Sequence, residues 1–535
     1  MKQLNKEQLQ ESIDNLTKLG LSIFFILSVL TYSFIINEGI PNNIFLAIAS
    51  LIGAYMAMNI GANDVANNVG PAVGSKAITL IGAVIIAAIF EASGAIFAGG
   101  DVVNTIKKGI IDIDAFHGDT DPFIWAMISA LLSSALWLNF ATMMKVPVST
   151  THSIVGGVLG AGIAAVGFSV VDWNMIIQII ISWIVSPLFG GVISAIFLFS
   201  IKKSILFKED KIGSAQKYLP FFIGLTSWAF ITYLLIKGLK NIWPNILDFL
   251  NNLPFITIQL TDKPSLFFSS LVAFTISSVV YIIVKKRLSL VDMQLENTKE
   301  SVNNLFTIPL IFSAALLSFA HGANDVANAI GPLAAINDAI INGDISNQAT
   351  VPLWIMSIGA LGIALGLALY GPKLIKTVGS EITELDQIRA FSIAMSASIT
   401  VIIASQLGLP VSSTHITIGA VFGVGFLREY IHIEKEISLT DEKKELNTHK
   451  KELLKLQIKK DKTERDIQNI NLLSEIIVDE KKIISSLKKE IKKGKNIEYV
   501  KRDTIKKIVS AWIITVPSSA ILSAILFFMI KGIVL

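Results

Sequence analysis

The sequence contains no cysteine. Disulfide frameworks and thiolate metal sites are therefore excluded. Charge is scarce too. Only 16% of the 535 residues are Asp, Glu, Lys or Arg, where a soluble domain carries about a quarter. No HExxH, GxSxG or P-loop pattern occurs. Ser, His and Asp are present as a set, but duplicated symmetrically, which a single active site does not require. Neither an enzymatic reaction nor a nucleic-acid partner is expected. The first 18 residues are too polar and too long a lead for a cleaved signal, so the first apolar segment reads as a retained helix.

Apolar residues are plentiful. They make up 52% of the chain, and the mean hydropathy is +0.63. Runs close to the 18–20 residues that span a bilayer recur along the sequence. The expected fold is an all-α polytopic membrane protein with about 12–13 transmembrane elements, some broken or re-entrant. Lys202, Lys203, Lys208, Lys211 and Lys217 fall in one loop, Lys285, Lys286 and Arg287 in another, and Lys373, Lys376 and Arg389 in a third. Placing all three on the cytoplasmic face leaves 169–174 and 336–349 outside, both free of Lys and Arg. The N-terminus then lies inside and the C-terminus outside, in a cell (inner) membrane. About half of all Lys and Arg lie in 428–508, among interleaved Glu and helically spaced Leu and Ile. That segment reads as a cytoplasmic helical insertion.

The chain repeats itself. "IGANDVANNVGP" from Ile60 returns as "HGANDVANAIGP" from His321. "VPVSTTHSIVGGVLGAG" from Val146 returns as "LPVSSTHITIGAVFGVG" from Leu409. A weaker echo links "SWIVSPLFGGVISAIF" from Ser182 with "AWIITVPSSAILSAIL" from Ala511. The landmarks keep their order, so one unit is duplicated. An odd number of crossings separates the two GANDVAN copies, and the copies are inverted. The expected organisation is 1–44 as N-terminal segment and first helix, 45–200 as first repeat, and 201–302 as a linker with two helices. The second repeat follows at 303–427, the charged insertion at 428–504, and the last helix of the second repeat at 505–535. Inverted repeats with Gly/Pro-interrupted helices mark secondary transporters, whose sites lie near the midplane at the repeat interface.

An ionisable group at mid-bilayer costs about 2.5–3.5 kcal/mol on insertion scales, so Asp64 and Asp325 need partners. Flanking Gly61, Gly322, Gly70-Pro71 and Gly331-Pro332 favour broken helices. Asn63, Asp64, Asn67, Asn324, Asp325 and Asn328 then offer hard oxygen ligands suited to Na⁺. Pro147 and Pro410 can open helices. Ser149, Thr150, Thr151 and Ser412, Ser413, Thr414 set hydroxyls beside free helix N-terminal N–H groups, an anion site or an ordinary cap. Glu91 is a third intramembrane acid without a second-half counterpart. Its roles are Na⁺ ligand, proton carrier or hydrogen-bond donor. His152, His321 and His415 flank the motifs, where packing is the commoner role. An anion site beside carboxylates, without Lys or Arg in the core, needs mobile cations. Cation-coupled anion symport follows, with Na⁺ or H⁺ left open.

The paired GANDVAN and PVS-(S/T)-TH motifs resemble the inorganic phosphate transporter family called PiT. The resemblance covers 45–200, 303–427 and the last helix. "GANDVANNVGPAVGSKAIT", "IFEASG" and "SFAHGANDVANAIGPL" are most similar to its sodium-dependent branch. The resemblance implies Na⁺-driven uptake of inorganic phosphate, with phosphate held between the motif pairs and Na⁺ at the Asn-Asp pairs. Glu91 matches a Glu that matters for transport in that branch. The partners implied are phosphate, sodium ions and membrane lipid, with a homodimer compatible. The alternative is proton-coupled symport of phosphate, a metal–phosphate complex or sulfate. The eukaryotic members carry a large loop between the halves, whereas here the charged insertion precedes the last helix. Regulation carried by that loop does not transfer.

Overall fold

The structure is a computed structural model. It describes all residues except 1–5, 145, 147, 240–242, 253–262, 290–294, 343–350, 382–384, 495–498, 501 and 535. Helices dominate. The first half holds α1 (Lys6–Ile36), α2 (Asn43–Asn63), α3 (Val65–Gly74), α4 (Leu80–Ala98) and α5 (Gly100–Lys108). Then come α6 (Thr120–Met143), α7 (Thr150–Val166) and α8 (Trp173–Ile201). The linker holds α9 (Lys211–Gly238), α10 (Trp243–Asn251), α11 (Leu266–Ser289) and α12 (Lys299–Leu305). The second half holds α13 (Thr307–Asn342), α14 (Leu353–Glu381), α15 (Gln387–Gln406) and α16 (Ser413–Ile458). α17 (Glu464–Gly494) and α18 (Arg502–Val534) complete the chain.

Twelve helices among the described residues are long and apolar enough to cross a membrane. The expected all-helical polytopic architecture is therefore the observed one. No strand forms among the described residues; Ile111 and Val171 make one isolated bridge. Of the outer loop expected at 336–349, residues 336–342 extend α13, and 343–349 lie outside the described residues. So does Pro147.

Helix starts follow short polar caps. Asp119 accepts from the Asp121 N–H at α6, Asp172 from Met175 at α8, and Asp210 from Gly213 at α9.

The packing repeats as the sequence does. A Cβ on Gly61 would strike the Ile363 carbonyl, and one on Gly322 would strike that of Glu91. Likewise Gly366 lies on the Met58 carbonyl and Gly94 on that of Phe319. Gly322 follows Gly61 by 261 residues, and Gly366 follows Gly94 by 272. Thus α2 packs on α14 as α13 packs on α4. The halves also exchange helices. Gly156 and Gly160 of α7 lie on the Val516 and Ala520 carbonyls of α18. Gly419 and Gly423 of α16 lie on the Pro187 and Gly191 carbonyls of α8. Each repeat lends its last helix to the other.

One expectation needs correction. Glycine and proline around both GANDVAN motifs favour unwound helices. The first copy breaks only at Asp64, between α2 and α3, and its backbone stays in the right-handed helical region there. The second copy is continuous, with Pro332 inside α13. Gly61 and Gly322 serve close backbone approach instead.

Residues 424–501 form a separate compact unit. Within it Leu446, Ile477 and Ile484 make an apolar core with Leu439 and Leu453 against it. His449 Nδ1 lies 2.6 Å from Glu480 Oε1. Asp466 accepts from Lys459 (2.7 Å) and from the Thr463 N–H and hydroxyl (both 2.8 Å), which holds its carboxyl well below the usual carboxylate range.

Candidate functional site

Four elements meet at the two aspartates. The α2–α3 junction supplies Asp64, the middle of α13 supplies Asp325, and the first turns of α7 and α16 arrive from opposite halves. Ser149 and Ser412 sit at the starts of α7 and α16, where their hydroxyl oxygens accept the N–H of His152 (3.1 Å) and His415 (3.2 Å). They act as N-caps that fix the motif helices in place.

The next hydroxyls turn onto the carboxylates. Thr150 Oγ1 lies 2.8 Å from Asp64 Oδ2 and 3.3 Å from Asp325 Oδ2. Ser413 donates to Asp325 Oδ2 (3.2 Å) and Thr414 to Asp64 Oδ1 (3.2 Å). Asn67 donates to Thr414 (2.9 Å), and its repeat mate Asn328 donates to Thr150 and Thr151 at 3.0 and 3.2 Å. Thr151 itself donates to the Val411 carbonyl (3.0 Å). The Asn63 amide is best satisfied with nitrogen on Asp64 Oδ1 (3.0 Å) and oxygen accepting from Thr142 (2.9 Å). Asn324 donates to Ser405 (3.1 Å). All of these motif residues are buried, and each half grips residues of the other.

Symmetry fails at one place. Glu91 Oε2 lies 2.6 Å from His321 Nδ1, and the other ring nitrogen lies 3.0 Å from Asp325 Oδ2. Asn68 donates to Glu91 Oε1 (2.7 Å). Glu91, His321 and Asn68 are all buried. Their repeat mates by the same offsets are Ile363, Ile60 and Ala329, so this polar chain exists on one side only. Asn68 is not marked as a site residue by the motifs, and His321, where packing is the commoner role, bridges two acids instead. The signal was available, because both are positions where the two copies of the motif differ.

His152 and His415 pack on each other edge-on at 4.4 Å, with Trp183 at 3.8 Å and Trp512 at 3.5 Å outside them. They join the tips of α7 and α16 rather than reach the aspartates.

Ligand atoms of Asp64, His321 and Asp325 all lie within 4.8 Å of one another. Like charges about 4 Å apart repel by about 4 kcal/mol at an effective dielectric constant near 20. A cation or a proton between them removes that cost. Buried Oδ1 atoms of Asn67, Asn324, Asn328 and Asp325 accept no hydrogen bond from the protein. Buried acceptors are almost always satisfied, so three amide oxygens and the free Asp325 oxygen are donors that could hold a hard cation.

Residues 60–523 match the profile of the phosphate transporter family. The chain belongs to that family. Members of the phosphate transporter family move phosphate and are not enzymes. Relatives agree with the assignment. A Helicobacter pylori (strain J99) protein is 47% identical over 95% of this chain and 94% of its own. A Pyrococcus furiosus protein is 40% identical over 73% of this chain and 90% of its own. Both are named only as phosphate permeases. A solved structure titled "The sodium-dependent phosphate transporter" superposes with a TM-score of 0.71, at 31% identity over 91% of this chain and 99% of that one.

Proposed function

We propose that this phosphate transporter is a sodium-coupled symporter that works by alternating access, with its site at the interface of the two inverted repeats. The observation that carries the reading is the set of buried oxygens around the paired aspartates, with one His321 nitrogen beside them. In this reading Na⁺ is held by Asp64, Asn67, Asn324, Asp325 and Asn328, with Glu91 as a further acid nearby, while Asn63, expected as a ligand, turns its amide nitrogen onto Asp64 and orients that carboxylate. Phosphate sits against Thr150, Thr151, Ser413 and Thr414, at the N-termini of α7 and α16, where helix dipoles and free N–H groups favour an anion. Ser149 and Ser412 keep their hydroxyl protons to donate to it. Sodium then offsets the repulsion between phosphate and the two carboxylates, which makes one bind better in the presence of the other. The chain is placed in the cell (inner) membrane, with its N-terminus and 428–508 cytoplasmic by the positive-inside rule.

The test is radiolabelled phosphate uptake into proteoliposomes under an inward Na⁺ gradient, against an equal choline gradient at fixed pH. Uptake only with Na⁺ supports the reading. Equal uptake in both overturns it. The buried Glu91–His321–Asp325 chain favours one second reading, proton-coupled symport. That reading requires equal uptake in both gradients and a rise with an imposed proton gradient. Sulfate as the anion would make uptake insensitive to the pH range where phosphate changes protonation.

A further inference from the structure

The two Asn partners of the aspartates offer a comparison inside one molecule. Asn63 pairs with Thr142 and its mate Asn324 pairs with Ser405. The surroundings of the two pairs differ completely.

Thr142 lines a cavity of about 830 Å³ between α1, α2, α6 and α14. Asn59 and Asn139 face the same cavity, and Asn139 donates to Asn59 Oδ1 (3.4 Å). Lys373 and Lys376 of α14 are exposed at it; the Lys373 ammonium lies 3.9 Å from Glu11 Oε1. Ser22 and the Tyr370 hydroxyl, 2.9 Å apart, tie α1 to α14 as a side wall. From the cavity the polar path runs through the Thr142 hydroxyl to Asn63 and on to Asp64, in steps of 2.9 and 3.0 Å.

Around Ser405 the corresponding space is filled. The mates of Asn59 and Asn139 are Ala320 and Ile402. Both belong to an apolar cluster with Phe319, Tyr233 and Phe230. Two bonds close over it. Thr105 of α5 donates to the Gly408 carbonyl (2.7 Å), and Lys237 of α9 donates to the Ser405 carbonyl (3.4 Å). By the 272-residue offset, α5 is the repeat mate of the last turns of α14, where Lys373 and Lys376 stand. The same element is docked on one side and stands beside a cavity on the other.

We propose that the Asn59–Asn139–Thr142 cavity is the substrate path between the site and the face bearing Lys373 and Lys376. Thr142–Asn63 is its gate, closed here over the buried site, and the structure is the state whose cavity faces that side. This rests on the phosphate-transport reading. The two lysines give the mouth a field that favours anions, and the asparagines give polar contact without a fixed charge that would trap one. The opposite state is reached when the end of α14 docks as α5 does here and the Phe319 cluster parts.

The chain lacks cysteine, so single-cysteine variants report without background. Asn139→Cys and Ile402→Cys are treated with a membrane-impermeant anionic thiosulfonate in inside-out and right-side-out vesicles. The expected result is labelling of Asn139→Cys from the cytoplasmic face at least about 10-fold faster than of Ile402→Cys from either face, as the more populated open state requires. Phosphate with Na⁺ slows it. Lys373→Gln with Lys376→Gln lowers the preference for the anionic over a cationic reagent by about 5-fold. If Asn139→Cys does not fold, Leu374→Cys on the same wall takes its place. No labelling from that face, in a variant that still takes up phosphate, overturns the path and leaves the transport reading intact. Labelling as expected, in a protein that shows no phosphate flux, overturns the transport reading instead.

Discussion

Two buried carboxylates with ligand atoms within 4.8 Å set the chemistry at the residue scale. Asp64→Asn and Asp325→Asn remove half of the charge that attracts a cation and leave the shape unchanged. Each is expected to abolish Na⁺-driven phosphate uptake with the thermal midpoint little altered. Normal Na⁺-driven uptake in both would remove the cation assignment. His321 is a different case, because it is sandwiched between Glu91 and Asp325 at 2.6 and 3.0 Å. His321→Ala leaves a buried acid without its partner, a change that costs about 3–5 kcal/mol. Adding Glu91→Gln is expected to recover part of that loss in thermal unfolding in detergent. Additive losses would mean that the two residues are not coupled.

Helices here are held by backbone approach. On α13, Gly322 faces the Glu91 carbonyl with no room for a Cβ. Gly322→Ala is expected to destabilise by about 1–3 kcal/mol, the usual range for overpacking. Because it displaces Glu91, phosphate uptake is expected to fall more than stability does. Wild-type uptake would show that α4 and α13 give way easily. Asp386 illustrates a cap outside the membrane. Its carboxylate accepts from the Arg389 N–H and guanidinium at 3.0 and 2.9 Å and lies 3.3 Å from Lys299 Nζ. Burial opposes its charge, yet these partners hold the carboxyl well below the usual carboxylate range. Its stabilisation is therefore complete above the unfolded carboxylate pKa and is lost as pH falls through the lower folded value. Asp386→Ala is expected to cost about 1–2 kcal/mol at pH 7. The gap to wild type should close below about pH 4; a gap constant down to pH 2 would contradict the charge-based account.

For the whole molecule, 424–501 is a compact unit with its own apolar core. Replacing 431–500 by a short linker is expected to leave Na⁺-driven uptake measurable in inserted protein. Complete loss of transport in folded, inserted protein would make the unit part of the transport machinery.

The sequence alone determined the helical, polytopic architecture, the duplicated unit and the motif residues, because hydrophobic run length and repetition are local properties. Only tertiary structure could decide what depends on non-local contact. The glycines around the motifs read as helix breakers, and packing uses them for close approach, since only folding brings Glu91 and Ile363 carbonyls against them. Asn68, Glu91 and His321 lie on three different helices, and no spacing along the chain places them together. The two sides of the site differ in sequence at Asn59 and Asn139 against Ala320 and Ile402. Only packing shows that the first pair faces a cavity while the second fills an apolar cluster.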